Sequence, residues 1–78
     1  MGASLNLSLL YTNEKNYPKA VEMANQVLDK QPENVKALYR RANVGLLSGD
    51  LDTAKADVLA ANGLDPKNKA VRSLYKKV

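Results

Sequence analysis

The chain predicts an all-α fold, an α-solenoid of antiparallel helix pairs with two repeats and a C-terminal capping helix. Three observations carry that expectation. Residues recur at an offset of 34, in the pairs Pro32/Pro66, Asn34/Asn68 and Ala20/Ala54, and a fixed period of that size marks stacked structural repeats. The helix punctuation recurs with the same offset. Asn34 and Asn68 each stand before an apolar-periodic run, and Asn is a preferred N-cap because its side-chain oxygen accepts an orphan first-turn N–H. Strand signals are weak, with no long alternating run and no Asn-Gly turn between β-branched segments.

Five helices are expected, roughly over 2–14, 18–30, 35–48, 52–63 and 69–77. Their short connections make neighbours antiparallel. In the first, Leu5, Leu7, Leu9, Leu10 and Tyr11 wrap most of the circumference. A helix apolar nearly all round is normally buried on several sides, and two repeats supply too few neighbours for that. The second opens at Pro18, which suits a first turn. Its Ala20, Val21, Ala24, Val27 and Leu28 share one face. The third follows Asn34 and ends at Gly49, with Gly45 inside it at an expected cost of about 1 kcal/mol relative to Ala. Asp50 is placed to cap the fourth, where Ala54, Val58, Ala61 and the neighbouring Leu59 form the apolar stripe. Small residues at Ala20, Ala24, Ala54 and Ala61 let helix axes approach closely. In the fifth, Val71, Leu74, Tyr75 and Val78 are expected to pack on 52–63 while lysines keep the array's end soluble. A basic amphipathic helix of this kind also suits calmodulin or an anionic surface. The units are therefore repeat 1–34, repeat 35–68 and capping helix 69–78.

At 78 residues and 8.5 kDa the chain is one small domain, near the lower limit for a self-sufficient core. The net charge of +4 is unevenly placed. Residues 1–66 hold seven basic and eight acidic side chains, whereas 67–78 hold five basic and no acidic ones. A nucleic-acid footprint would need basic residues spread over one surface, so none is expected. Without cysteine or histidine there is no thiolate metal site, and the commonest general base and zinc ligand are missing. No apolar run reaches the 18 residues of a membrane span, and the start lacks the pattern of a signal peptide. The carboxylates Glu14, Glu22, Asp29, Glu33, Asp50, Asp52, Asp57 and Asp65 fall mostly at turns or on outer faces. Ser48-Gly49-Asp50 reads as a turn and not as a phosphate cradle. Catalysis, cofactor, metal, nucleic acid and membrane are all unexpected.

Lys36 and Arg40 are four apart and share a helix face. Their like charges repel by a few tenths of a kcal/mol, and Lys36 lies at the positive end of the macrodipole. Arg41 adds a third positive charge within six residues. An anionic ligand reverses the sign of each of these terms; the alternative is an ordinary solvated charged face. Asn6 lies one period before Arg40, so stacked first helices bring both to one inner surface. Its amide is suited to donate to a carboxylate, or else it is a satisfied surface amide. Thr12, Asn13, Tyr39, Asn43 and Leu46 fall on the same groove. Leu9 and Tyr39 either receive an apolar ligand side chain or belong to the core. Tyr11 and Tyr17 are assigned to packing.

These residues resemble the tetratricopeptide repeat. The first repeat matches through Leu7, Ser8, Tyr11, Ala20 and Pro32, and the second through Leu38, Ala42, Gly49, Ala54 and Pro66. Ser4, Arg41, Gly45, Ala24 and Val58 depart from the pattern. Leu5-Asn6-Leu7-Ser8 and Val35 to Ala42 resemble the second and third repeats of carboxylate-clamp domains, and the wording is most similar to the C-terminal region of large FK-binding immunophilins. That resemblance implies a cytoplasmic interaction module whose groove binds the acidic Glu-Glu-Val-Asp C-terminus of heat-shock chaperones. It assigns clamp positions to Asn6, Lys36 and Arg40, which a Lys and an Asn from a preceding repeat complete in that family. It also places prolyl isomerase activity in another domain. The competing expectation is a structural module, a homo-oligomer or helix exchange formed through the apolar first helix.

Overall fold

The computed structural model describes the backbone from Gly2 to Val78 and side chains from Leu7 onward. It contains α1 (Gly2–Asn13), α2 (Tyr17–Lys30), α3 (Val35–Ser48), α4 (Leu51–Leu64) and α5 (Lys69–Tyr75). Each expected helix is present, with ends shifted by one or two residues. The caps follow the sequence logic. Asn34 Oδ1 accepts from the Ala37 N–H at 3.0 Å, and Asn68 Oδ1 from Val71 N–H at 3.2 Å. The two turns repeat even their backbone bonds: Asn34 N–H donates to Gln31 O, and Asn68 N–H to Asp65 O. Gly49 takes φ 90° and closes α3, the left-handed conformation that glycine adopts without steric penalty. Asp50 Oδ1 then accepts from Thr53 N–H.

The end of α1 uses the same closure without a glycine. Lys15 has φ 62°; its N–H donates to Thr12 O and that of Asn16 to Tyr11 O. This is the paired bonding of a Schellman turn, and it stops the helix at Asn13 rather than at Glu14.

Helices α1 and α2 pack together, as do α3 and α4. Across these pairs α2 packs on α3, and α5 closes the array against α4. The odd-numbered helices also touch in sequence, α1 with α3 and α3 with α5, so they form one wall. The core lies between α2, α3, α4 and α5, with Val27, Leu28, Ala37, Leu38, Ala42, Val58, Ala61, Val71 and Leu74 in one cluster. Ala20, Ala24 and Ala54 are fully buried too, which is the close approach expected of small residues.

Three expectations about the core need correction. Leu59 is 44% exposed, because the inward edge of α4 is formed by Ala54, Asp57, Val58 and Ala61. Tyr75 and Val78 are exposed; α5 is a short helix that seats Val71 and Leu74 alone. Asp57, assigned to a turn or outer face, is only 5% exposed. Among the described side chains of α1 the buried ones are polar, Ser8 and Thr12, while Leu7, Leu9 and Leu10 are exposed. Ser8 Oγ donates to Ala20 O at 2.9 Å and Thr12 Oγ1 to Ser8 O at 2.7 Å, so both hydroxyls are satisfied. Leu7, Leu9 and Leu10 therefore stay 38–52% exposed, in line with a helix that has few neighbours.

Candidate functional site

The wall formed by α1 and α3 carries the residues singled out in the sequence. Lys36 stands exposed in the first turn of α3. One turn further on, Arg40 is half-buried, and its guanidinium carbon lies 5.9 Å from the centroid of the Tyr39 ring. An aromatic face at that distance attracts a cation through its quadrupole, which steadies Arg40 without neutralising it. Among the described residues neither Lys36 nor Arg40 has a carboxylate within salt-bridge distance. Tyr39 and Leu46 are partly buried against the core cluster, and Asn43 is half-buried on the same helix. In α1, Leu9 and Asn13 are exposed. Thr12 is buried and its hydroxyl is committed to Ser8 O, which removes it from the groove surface. Tyr11 and Tyr17 are half-buried. The Asn6 side chain lies outside the described residues.

Arg41 differs from the expectation. The sequence adds it to Lys36 and Arg40 as a third positive charge, but it is turned toward α2 and α4. Its Nε and Nη2 donate to Asp57 Oδ2 and Oδ1 at 2.6 and 2.8 Å, and Nη1 donates to Asn25 Oδ1 at 2.8 Å. The bidentate fork is the strong geometry for an arginine–carboxylate pair. Hydrogen bonding to Asp57 raises the Arg41 pKa, burial opposes the rise, and the charge of Asp57 adds to it. The cationic face is therefore two residues wide, Lys36 and Arg40. Sequence reasoning missed the tie because Asn25, Arg41 and Asp57 are 16 residues apart at each step, and no local pattern links them. The one available signal was Arg41 itself, a cation where the repeat pattern has leucine.

Among the described residues no group of acidic, histidine or cysteine side chains is arranged to hold a metal ion. No described helix is long and apolar enough to cross a membrane. Among the described residues, α1 and α3 leave Leu9, Asn13 and Lys36 exposed and Tyr39, Arg40 and Asn43 half-buried.

A family model described as tetratricopeptide repeat matches residues 11–78. FK506-binding protein-like from Rattus norvegicus is 41% identical over 59 residues, which is 76% of this chain and 17% of that protein. Its counterpart in Mus musculus is 39% identical over the same shares. Peptidyl-prolyl cis-trans isomerase FKBP4 from Mus musculus is 32% identical over 73 residues, 94% of this chain and 16% of that protein. The chain thus spans about a sixth of the length of these curated relatives. No solved structure gives a significant match.

Proposed function

The chain belongs to the tetratricopeptide repeat family, a protein-interaction fold, and from that premise we propose that it holds the acidic C-terminal tail of a heat-shock chaperone. The supporting observation is the pair Lys36 and Arg40, two cations one turn apart on α3 with no carboxylate partner among the described residues. Uncompensated like charges at the first turns of a helix are unfavourable for the fold alone. A bound carboxylate turns the same arrangement favourable. In this reading Lys36 and Arg40 donate charge-assisted hydrogen bonds, Asn6 and Asn43 orient the ligand's terminal carboxylate, and Tyr39 with Leu9 contacts its apolar side chain near Asn13. The ligand has the sequence Glu-Glu-Val-Asp, the setting is the cytoplasm, and any prolyl isomerase activity resides in another domain of a longer protein.

Titration with this four-residue ending on a short peptide, with free and with amidated C-terminus, tests the proposal. Affinity around the micromolar range is expected for the free acid, falling as salt shortens the Debye length below about 10 Å. Lys36→Ala and amidation should each weaken binding about tenfold or more, the equivalent of about 1.5 kcal/mol. Equal affinity for both peptides and for the variant would refute it.

A second reading is supported by one comparison within the chain. Leu10 is 52% exposed, whereas Val44, its counterpart one repeat later, is 1% exposed. Val44 lies on α3, against which α1 and α2 pack, and Leu10 is the equivalent position on α1, exposed together with Leu7 and Leu9. Self-association through that face, with no peptide bound, predicts a sedimentation coefficient that rises with concentration and a Leu10→Glu variant that stays monomeric. A strict monomer over the whole range would end this alternative.

A further inference from the structure

Two adjacent arginines on α3 have opposite surroundings. Arg40 carries no carboxylate partner among the described residues, while Arg41 is held from two sides, by Asp57 on α4 and Asn25 on α2. Arg41 is thus the one described side chain whose polar contacts join three helices. Helices α2 and α4 do not pack on each other; the guanidinium spans the cleft between them, with Val21, Gly45 and Thr53 along its sides. Asp57 is buried at this junction, and no described buried polar side-chain atom is left without a partner.

A guanidinium is a rigid planar fork. Bonds from two helices to three of its nitrogens therefore restrain rotation of α3 about its own axis as well as its position. Successive residues turn by about 100° around a helix, so fixing the azimuth of Arg41 fixes that of Arg40 and, one turn earlier, of Lys36. A leucine at position 41 would fill the space through non-directional contacts, which tolerate small rolls of the helix. Buried polar ties are known to select one register among near-equivalent packings.

We infer that Asn25, Arg41 and Asp57 are positioning residues that set the roll of α3 and thereby the direction in which Lys36 and Arg40 present their charges to the α1/α3 wall. The inference deepens the anion-binding reading above and rests on it for its functional consequence. Its structural consequence is independent of any ligand.

The test uses the complete chain with Arg41→Leu and Asp57→Leu combined, so that no unpaired charge is left buried. The probe is a peptide ending in Glu-Glu-Val-Asp. Helicity and melting temperature should match or exceed those of the unsubstituted chain. Backbone amide resonances of Lys36, Tyr39, Arg40 and Asn43 should broaden by microsecond–millisecond exchange, and peptide affinity should fall about fivefold. A folded double variant with sharp α3 resonances at these positions and full affinity overturns the inference. If the unsubstituted chain fails to bind the peptide, the anion-binding reading falls, and the amide resonances alone decide the positioning role in the same way. If the double variant fails to fold, Arg41→Lys decides: it keeps a cation beside Asp57 but gives up the fork, and α3 resonances that stay sharp there overturn the inference as well.

Discussion

Arg41→Leu alone is expected to remove a large share of the stability of this domain. The substitution restores the leucine that the repeat pattern has at this position, and judged by apolar burial it is an improvement. Its cost arises on the other side of the contact, where Asp57 is 5% exposed and loses both of its hydrogen-bond donors. Breaking a buried pair from one side costs about 3–5 kcal/mol. A chain of 78 residues has a total stability of roughly 4–12 kcal/mol, so the loss is a large share of it. Asp57→Leu should be milder, at about 1–3 kcal/mol. The Arg41 side chain is already 28% exposed, and its long stem lets the guanidinium reach water. The double leucine variant removes both charges together and should recover the original stability or exceed it. Urea titration of the three variants checks this order. Equal losses for the two single variants, or losses that simply add in the double one, would show that the pair is not coupled as its geometry requires.

The same contact behaves simply toward base. Hydrogen bonding to Asp57 raises the Arg41 pKa. A cation whose folded-state pKa is raised contributes stability that is complete below its unfolded pKa and is lost only as pH rises through the folded value. For arginine both values lie above the range in which proteins are handled. The cationic side of the pair therefore holds through neutral and alkaline conditions, and its removal by mutation cannot be imitated by raising the pH.

The fold was legible in the sequence because its signals are local and occur twice. Asn34 and Asn68, the two prolines and the small residues at Ala20 and Ala54 mark turns and close contacts within a few residues of themselves, and the 34-residue offset supplies the stacking. The spacing of Lys36 and Arg40 was readable for the same reason, since they are one helical turn apart on a single element. The partner of Arg41 was not. A charge on a helix surface and a charge spanning three helices have the same local sequence, and only tertiary placement separates them. Leu59 and Tyr75 were misassigned for a related reason. Periodicity says which residues share a face, but the width of the buried edge depends on how many neighbours the helix has, and α5 offers only one turn of contact to α4.

Gly45 is the position where helix propensity and packing disagree most, and it yields the second large effect. Propensity alone ranks Gly45→Ala as a gain of about 1 kcal/mol. A Cβ at this position would lie 2.9 Å from the Asp50 carbonyl oxygen and 3.2 Å from both the amide nitrogen and the Cβ of Ala54. These atoms cannot swing aside. Asp50 O accepts the Ala54 N–H at 3.1 Å, which is the first hydrogen bond of α4, so relief requires moving the start of that helix off α3. Overpacking of this kind costs about 1–3 kcal/mol and cancels or exceeds the propensity gain for alanine. Valine places two further methyl groups in the same gap and should cost more than about 3 kcal/mol, enough to unfold much of the population at 37 °C. Gly63 is the internal control. It is also helical, but a Cβ there meets nothing within 4 Å, so Gly63→Ala should show the propensity term alone and gain up to about 1 kcal/mol. Thermal melts of the three variants separate the two terms, since 1 kcal/mol moves the midpoint of a domain this size by about 4–8 °C. If Gly45→Ala rises as Gly63→Ala does, α3 and α4 are not in close contact at Gly45, and this glycine carries no packing role.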